Sequence, residues 1–222
     1  MMLRHNPLRL ISAPMMLVFA TAVLFYEVEA PFYYQRYFGV FDGKTIPSLL
    51  FLDLYTLFLF FLVPLIVGRV LFREPYFDLG LRRPLNNWVA LRLILLAYCI
   101  VIPLTLFCAH QSQFKHYYSF GHVDTVSFIF MQLVLVPVYY FSEEFFFRGF
   151  LFLSLWRRIG WHSFWVTDIF FTLAHLGKPG IEIILSIPAS VMLNYLTLRT
   201  RSIYPALIVH ATIGIAMNMT VN

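Results

Sequence analysis

Charge is scarce in this chain. Only 12% of its 222 residues are Asp, Glu, Lys or Arg, against about 25% in an ordinary soluble domain. That scarcity excludes a water-soluble globular class. Cysteine is almost missing, and Cys99 and Cys108 fall in one apolar run. On a helix that spacing separates them by about 13 Å, too far for a disulfide, and two thiols cannot build a thiolate metal site. No basic cluster is interleaved with aromatics, so a nucleic-acid surface is excluded, and no His-Glu-x-x-His, internal repeat or low-complexity segment is found. What is abundant is apolar: 60% of residues are hydrophobic and 25 are Phe. Several runs approach the roughly 20 residues that cross a bilayer as a helix. The reading is an all-α polytopic membrane protein.

Seven spans are predicted, over about 10–27, 47–68, 88–108, 127–156, 161–177, 181–198 and 202–220, with an eighth as the alternative. The chain divides at 123/124, into N-terminal helices with a surface linker (1–123) and a second helical unit (124–222). Arg4 and Arg9 precede the apolar Ile11–Tyr26 in the manner of a signal peptide, but Pro31 after Val28-Glu29-Ala30 spoils the cleavage site, so an uncleaved first span is expected. Between spans two and three, Asp78-Leu79-Gly80-Leu81-Arg82-Arg83-Pro84 reads as a basic linker at the membrane surface, with Asn86 or Asn87 capping the next helix. Pro137 is expected to kink the over-long fourth segment. Loop charge sets orientation. With the N-terminus cytoplasmic, the inner loops hold Arg4, Arg9, Arg69, Arg73, Arg82, Arg83, Arg92, Arg157, Arg158, Arg199 and Arg201, and the outer loops hold Arg36, Lys44, Lys115 and Lys178. That bias follows the positive-inside rule, and the net charge of +5 is read as loop orientation and contact with anionic lipid.

Against this background, Glu143, Glu144 and Arg148 stand out, because an ionisable side chain at mid-bilayer costs about 2.5–3.5 kcal/mol even on lenient insertion scales. Asp53, Asp168, His175, Asn194 and His210 are the other polar groups in the spans. At about 1.5 Å per helical residue, both glutamates, His175, His210 and Arg148 fall about 14–21 Å from the inner boundary, so they can converge on one buried site. Glu144 and Arg148, four apart, can pair, which leaves Glu143 on another face. Two hydrolytic chemistries fit. In one, a carboxylate is the general base for water, one histidine orients that water and the other donates to the oxyanion. In the other, Glu143, His175 and His210 hold a divalent metal such as zinc, which acidifies the water. The plainer reading is that paired Glu, Arg and Asp bridge helices and that the histidines are interhelical hydrogen bonders. A cluster of this size at one depth favours function. Asp168 is read as a structural partner of Arg148, and His110, His116 and His122 have no helical ligand spacing.

Glu143-Glu144-x-x-x-Arg148-Gly149, then Phe171-x-x-x-His175, then His210 late in the last span, resembles the CPBP family of intramembrane proteases. That family includes the CAAX prenyl-protein endopeptidases and bacterial relatives named for bacteriocin processing or immunity. The resemblance covers about Asp124 to Asn218, the second unit. It implies Glu143 as the base assisted by His175, with His210 stabilising the oxyanion, Glu144 and Arg148 supporting the site and Phe171 shaping it. The family places Asn four residues after the second histidine, where this chain has Gly214; Asn218, two turns from His210, or Asn194 is the expected substitute. Family members have been described as metal-dependent and as glutamate-type proteases, and both options stay open here. The expected partners are the lipid bilayer and a membrane-anchored peptide or protein substrate, in a bacterial plasma membrane. The rival readings are a non-catalytic relative acting in immunity or as a scaffold, and a proton-coupled transporter; no repeat of the kind transporters use is seen.

Overall fold

The computed structural model describes residues 7–121 and 123–222, with side-chain surroundings from residue 13 onward except at Phe77. Arg4, His122 and the side chain of Arg9 lie outside the described residues. Helix α1 (Pro7–Val28) meets α2 (Ala30–Phe38) at a 41° bend, with Pro31 in the first turn of α2, where its missing N–H costs nothing. There follow α3 (Ile46–Val70), α4 (Asn87–Ala109), α5 (Ser112–Tyr118), α6 (Thr125–Ile159), α7 (His162–Leu173), α8 (Gly180–Thr200) and α9 (Tyr204–Val221). No strand occurs among the described residues. Five helices, α3, α4, α6, α8 and α9, are long and apolar enough to cross a membrane, or six if the bent α1–α2 pair is one span. The protein is an all-α polytopic membrane protein.

Of the seven drawn spans, 10–27 counts only when α1 is joined to α2, and the other difference lies at 161–177. There α7 has 12 helical residues, about 18 Å, short of the hydrocarbon thickness of about 30 Å. Even so, α7 runs between the two ends of the bundle. At one end the linker after α3 is tied to the α6 terminus, where Glu74 pairs with Arg157 at 2.5 Å and Arg158 at 2.7 Å. It is also tied to the α8–α9 turn, where Ile203 N–H donates to the Gly80 carbonyl and Leu85 N–H to that of Thr200. At the other end Tyr118 donates to Glu182, Lys178 pairs with Glu182 at 3.1 Å, and Asn222 bonds the backbone of Tyr118 and Phe120. The α3 linker, the α6 terminus and the α8–α9 turn thus share one end, and Tyr118, the start of α8 and Asn222 share the other.

Local sequence explains the boundaries. Asn86 accepts the N–H of Val89 and caps α4, and Asp124 accepts that of Ser127 to start α6. Pro137 does not break α6. The helix widens to i to i+5 hydrogen bonding over Met131–Leu135 just before it and continues, which absorbs the missing donor. A second widened stretch, Phe145–Leu153, begins directly after Glu144, and every residue in it is buried. Its rings form the core: Phe146 stacks on Phe60 at 4.5 Å, Phe145 meets Phe61 at 4.8 Å, and Phe147 meets Phe171 at 5.2 Å. The linker plugs this core from below. Leu79 is fully buried, and Gly149 is needed because a Cβ there would stand 2.5 Å from the Leu79 carbonyl. The outer faces are apolar: Phe58, Leu62 and Ile66 on α3, and Trp165 and Ile169 on α7, are exposed at helical spacing, as lipid contact requires. Helix α9 is the most enclosed span, with 44% of its apolar window buried against 22% for α3, α4 and α6.

Candidate active site

Two histidines are fixed through the same ring nitrogen. His175 lies just beyond α7, and its Nδ1 sits 2.8 Å from the Phe171 carbonyl, one of the oxygens left without a partner at a helix C-terminus. A carbonyl only accepts, so Nδ1 carries the hydrogen and Nε2 keeps its lone pair. Phe171-x-x-x-His175 is thus a helix-ending device that also sets a tautomer. His210, on the enclosed α9, has its Nδ1 2.7 Å from Glu144 Oε1. An ionised carboxylate is likewise an acceptor, so here too Nε2 is the nitrogen left for chemistry.

Glu144 and Arg148 are both 0% exposed, and Arg148 Nε lies 3.3 Å from Glu144 Oε2, the pairing expected from their spacing. The contact is ionic rather than a well-aligned hydrogen bond, and the guanidinium carbon lies over Phe171, 4.1 Å from the ring centre, as cation–π attraction favours. Phe171 therefore touches three groups, its ring centre lying 4.4 Å from that of His175 and 5.7 Å from that of His210. Both histidines and Phe171 face a cavity of about 330 Å³, lined also by Leu104 of α4 and Leu193 of α8, within the size range of small-ligand sites.

Glu143 is 4% exposed and, among the described residues, makes no hydrogen bond or ion pair with either histidine. Its charge is felt by Tyr140, Lys178 and Glu27 of α1. The two expected substitutes for the missing Asn are engaged elsewhere. Asn218 donates to Gln132 at 3.0 Å, and Asn194 donates to Asp168 at 3.1 Å, joining α7 to α8. Asp168 also lies within electrostatic range of Arg148. Asp53 is buried and lines a second, more polar cavity of about 510 Å³ near the loop end.

Three contacts escaped the reading of the chain. Thr56 donates to Glu27 between α3 and α1. Tyr118 bonds both oxygens of Glu182, at 2.7 and 2.8 Å; burial holds its hydroxyl well above the usual phenol range, Lys178 opposing and Glu182 adding to the effect. Tyr140 packs against His210 with ring centres 4.3 Å apart and the planes tilted by 54°. None of the three has helical i to i+4 spacing, unlike the neighbouring Lys178–Glu182 pair.

A catalytic zinc ion takes about three protein ligands. Among the described residues no three His, Cys, Asp or Glu side chains gather closely enough to hold a metal, so Glu143, His175 and His210 do not form such a set.

In this all-α membrane protein both histidines and Phe171 face one cavity, and the buried Glu144–Arg148 pair stands behind His210. The family model described as Type II CAAX prenyl endopeptidase Rce1-like matches residues 122–216, consistent with a CPBP family protease. The match contains Glu143, Glu144, Arg148, Phe171, His175 and His210. No curated protein and no solved structure matches the chain.

Proposed function

We propose that the protein is an intramembrane endopeptidase that hydrolyses a peptide bond of a membrane-anchored peptide or protein, with Glu143 as the base for the attacking water. The observation carrying this reading is the unequal engagement of the two glutamates. Glu144 is committed to His210 and Arg148, so Glu143 is the buried carboxylate still free to take a proton. His175 Nε2, a lone-pair acceptor, orients the attacking water. His210 Nε2, once it carries a proton, donates to the carbonyl oxygen as charge develops there, and Glu144 stabilises that imidazolium. The matched family's name points to a substrate tethered through a prenylated cysteine, for which the largely apolar cavity is suited. The arginine-rich end of the bundle is assigned to the cytoplasm of a bacterial cell, following the positive-inside rule.

The test is cleavage of a quenched fluorescent peptide bearing a prenylated cysteine, in proteoliposomes. Glu143→Gln is expected to lower kcat by about 10²–10⁴-fold without loss of folding. Full activity in that variant would remove Glu143 from the chemistry. A wild-type protein that cleaves nothing, with its cellular effect intact in both Glu143→Gln and His175→Ala, supports the non-catalytic relative instead.

A further inference from the structure

Gly214, one turn after His210, is a place where this structure tolerates no side chain. A Cβ on it would lie 2.5 and 2.6 Å from ring carbons of Tyr140, with the phenol oxygen at the same spot. Tyr140 is on α6, one turn before Glu144, so its ring projects towards the same neighbour as Glu144, namely α9. The phenol ring packs against the His210 imidazole at a tilt of 54° and reaches the cavity that also bears His175. Among the described residues its hydroxyl has no hydrogen-bond partner. Other tyrosines in the bundle do have one: Tyr98 bonds Thr212, Tyr118 bonds Glu182, and Tyr55 donates to the Tyr26 carbonyl. A half-buried phenol O–H with no partner, held beside the histidine pair by a glycine that makes room for it, has the properties of a preorganised donor.

We infer that Tyr140 is a catalytic residue whose hydroxyl, together with His210 Nε2, donates to the carbonyl oxygen of the scissile peptide. This deepens the endopeptidase reading and rests on it. The water oxygen bonds to the carbonyl carbon, the C=O π pair moves onto oxygen, and the water proton passes to Glu143. Tyr140 keeps its own proton and shares it with the oxyanion. The C–N bond then breaks as the π pair returns, and the Glu143 proton goes to the leaving nitrogen. Gly214 is thereby a seat for the phenol, and the donor that a side chain at 214 could offer comes from α6 instead.

The same proteoliposome assay tests this. Tyr140→Phe keeps the ring against Gly214 and His210 and removes only the donor, so kcat is expected to fall about 10²–10³-fold with KM nearly unchanged. A purely packing role would leave kcat intact. Gly214→Asn alone is expected to inactivate by collision with the phenol. Tyr140→Ala combined with Gly214→Asn makes room and supplies an amide donor, and is expected to exceed Tyr140→Ala alone by at least about tenfold in kcat. If wild type is active and Glu143→Gln is not, but Tyr140→Phe retains full kcat, the assignment of Tyr140 is overturned and the endopeptidase reading stands. If wild type cleaves nothing, both fall.

Discussion

At the scale of single residues, the site depends on a charge that has no water to fall back on. Glu144 is fully buried and holds two partners at once, His210 at 2.7 Å and Arg148 at 3.3 Å. Removing one partner of a buried ion pair leaves the other charge uncompensated, which typically costs about 3–5 kcal/mol. Arg148→Met is therefore expected to destabilise the protein by about that much in reversible unfolding from detergent micelles. Glu144→Gln with Arg148→Met should cost less than the two single changes summed, since the second substitution removes the stranded charge. Strict additivity would mean that the two side chains do not interact energetically. The Glu144–Arg148 pair was legible from its spacing alone. The Glu144–His210 bond was not, because depth counting shows that two groups share a layer and says nothing of which faces meet. Tyr140 was hidden for another reason: among 13 Tyr and 25 Phe, one more aromatic carries no signal until its neighbour proves to be a glycine.

At the scale of elements, the sequence was most readable where a cap or a charge marks a boundary and least readable where helices change pitch. Asn86, expected as a cap, falls where α4 begins. The widened stretches around Pro137 and after Glu144 leave no mark in hydropathy, since they alter hydrogen-bond register and not composition. The α2–α3 loop shows how a boundary can respond to pH. Asp42 accepts hydrogen bonds from the N–H groups of Lys44 and Thr45 and from the hydroxyls of Thr45 and Ser48, fastening the loop to the first turn of α3. Burial alone would raise its pKa, but the bonds from Ser48, Lys44 and Thr45 prevail and hold the carboxyl well below the usual range. A depressed folded value means that the stabilisation is present at neutral pH and is lost as pH falls from about 4, the ordinary carboxylate value, towards the lower folded one. Asp42→Ala should thus melt below wild type at pH 7, with the gap narrowing progressively below about pH 4. A gap independent of pH would show that the carboxylate charge is not what holds the loop.

At the scale of the molecule, each end of the bundle is tied by its own polar contacts, and α7 is the short strut between them. Its 12 residues would leave it stranded in the bilayer if it stood alone, but α6 and α8 flank it, and His175 closes its open end. The arrangement predicts which surfaces share a compartment. With Cys99 and Cys108 replaced by Ala, single cysteines placed at Leu85 and Trp161, both exposed, should resist a membrane-impermeant maleimide applied to intact cells and react after lysis. Cysteines at Gln113 and Gly180, which are also exposed, should react from outside without lysis. None of the four substitutions alters a charge, so the orientation signal of the arginine-rich end is preserved. Labelling of Trp161→Cys and Gly180→Cys from the same side would mean that α7 enters and leaves by one face. His175 would then be drawn away from the depth of His210, and the pairing of the two histidines over Phe171, on which the hydrolytic reading depends, could not be maintained in the membrane.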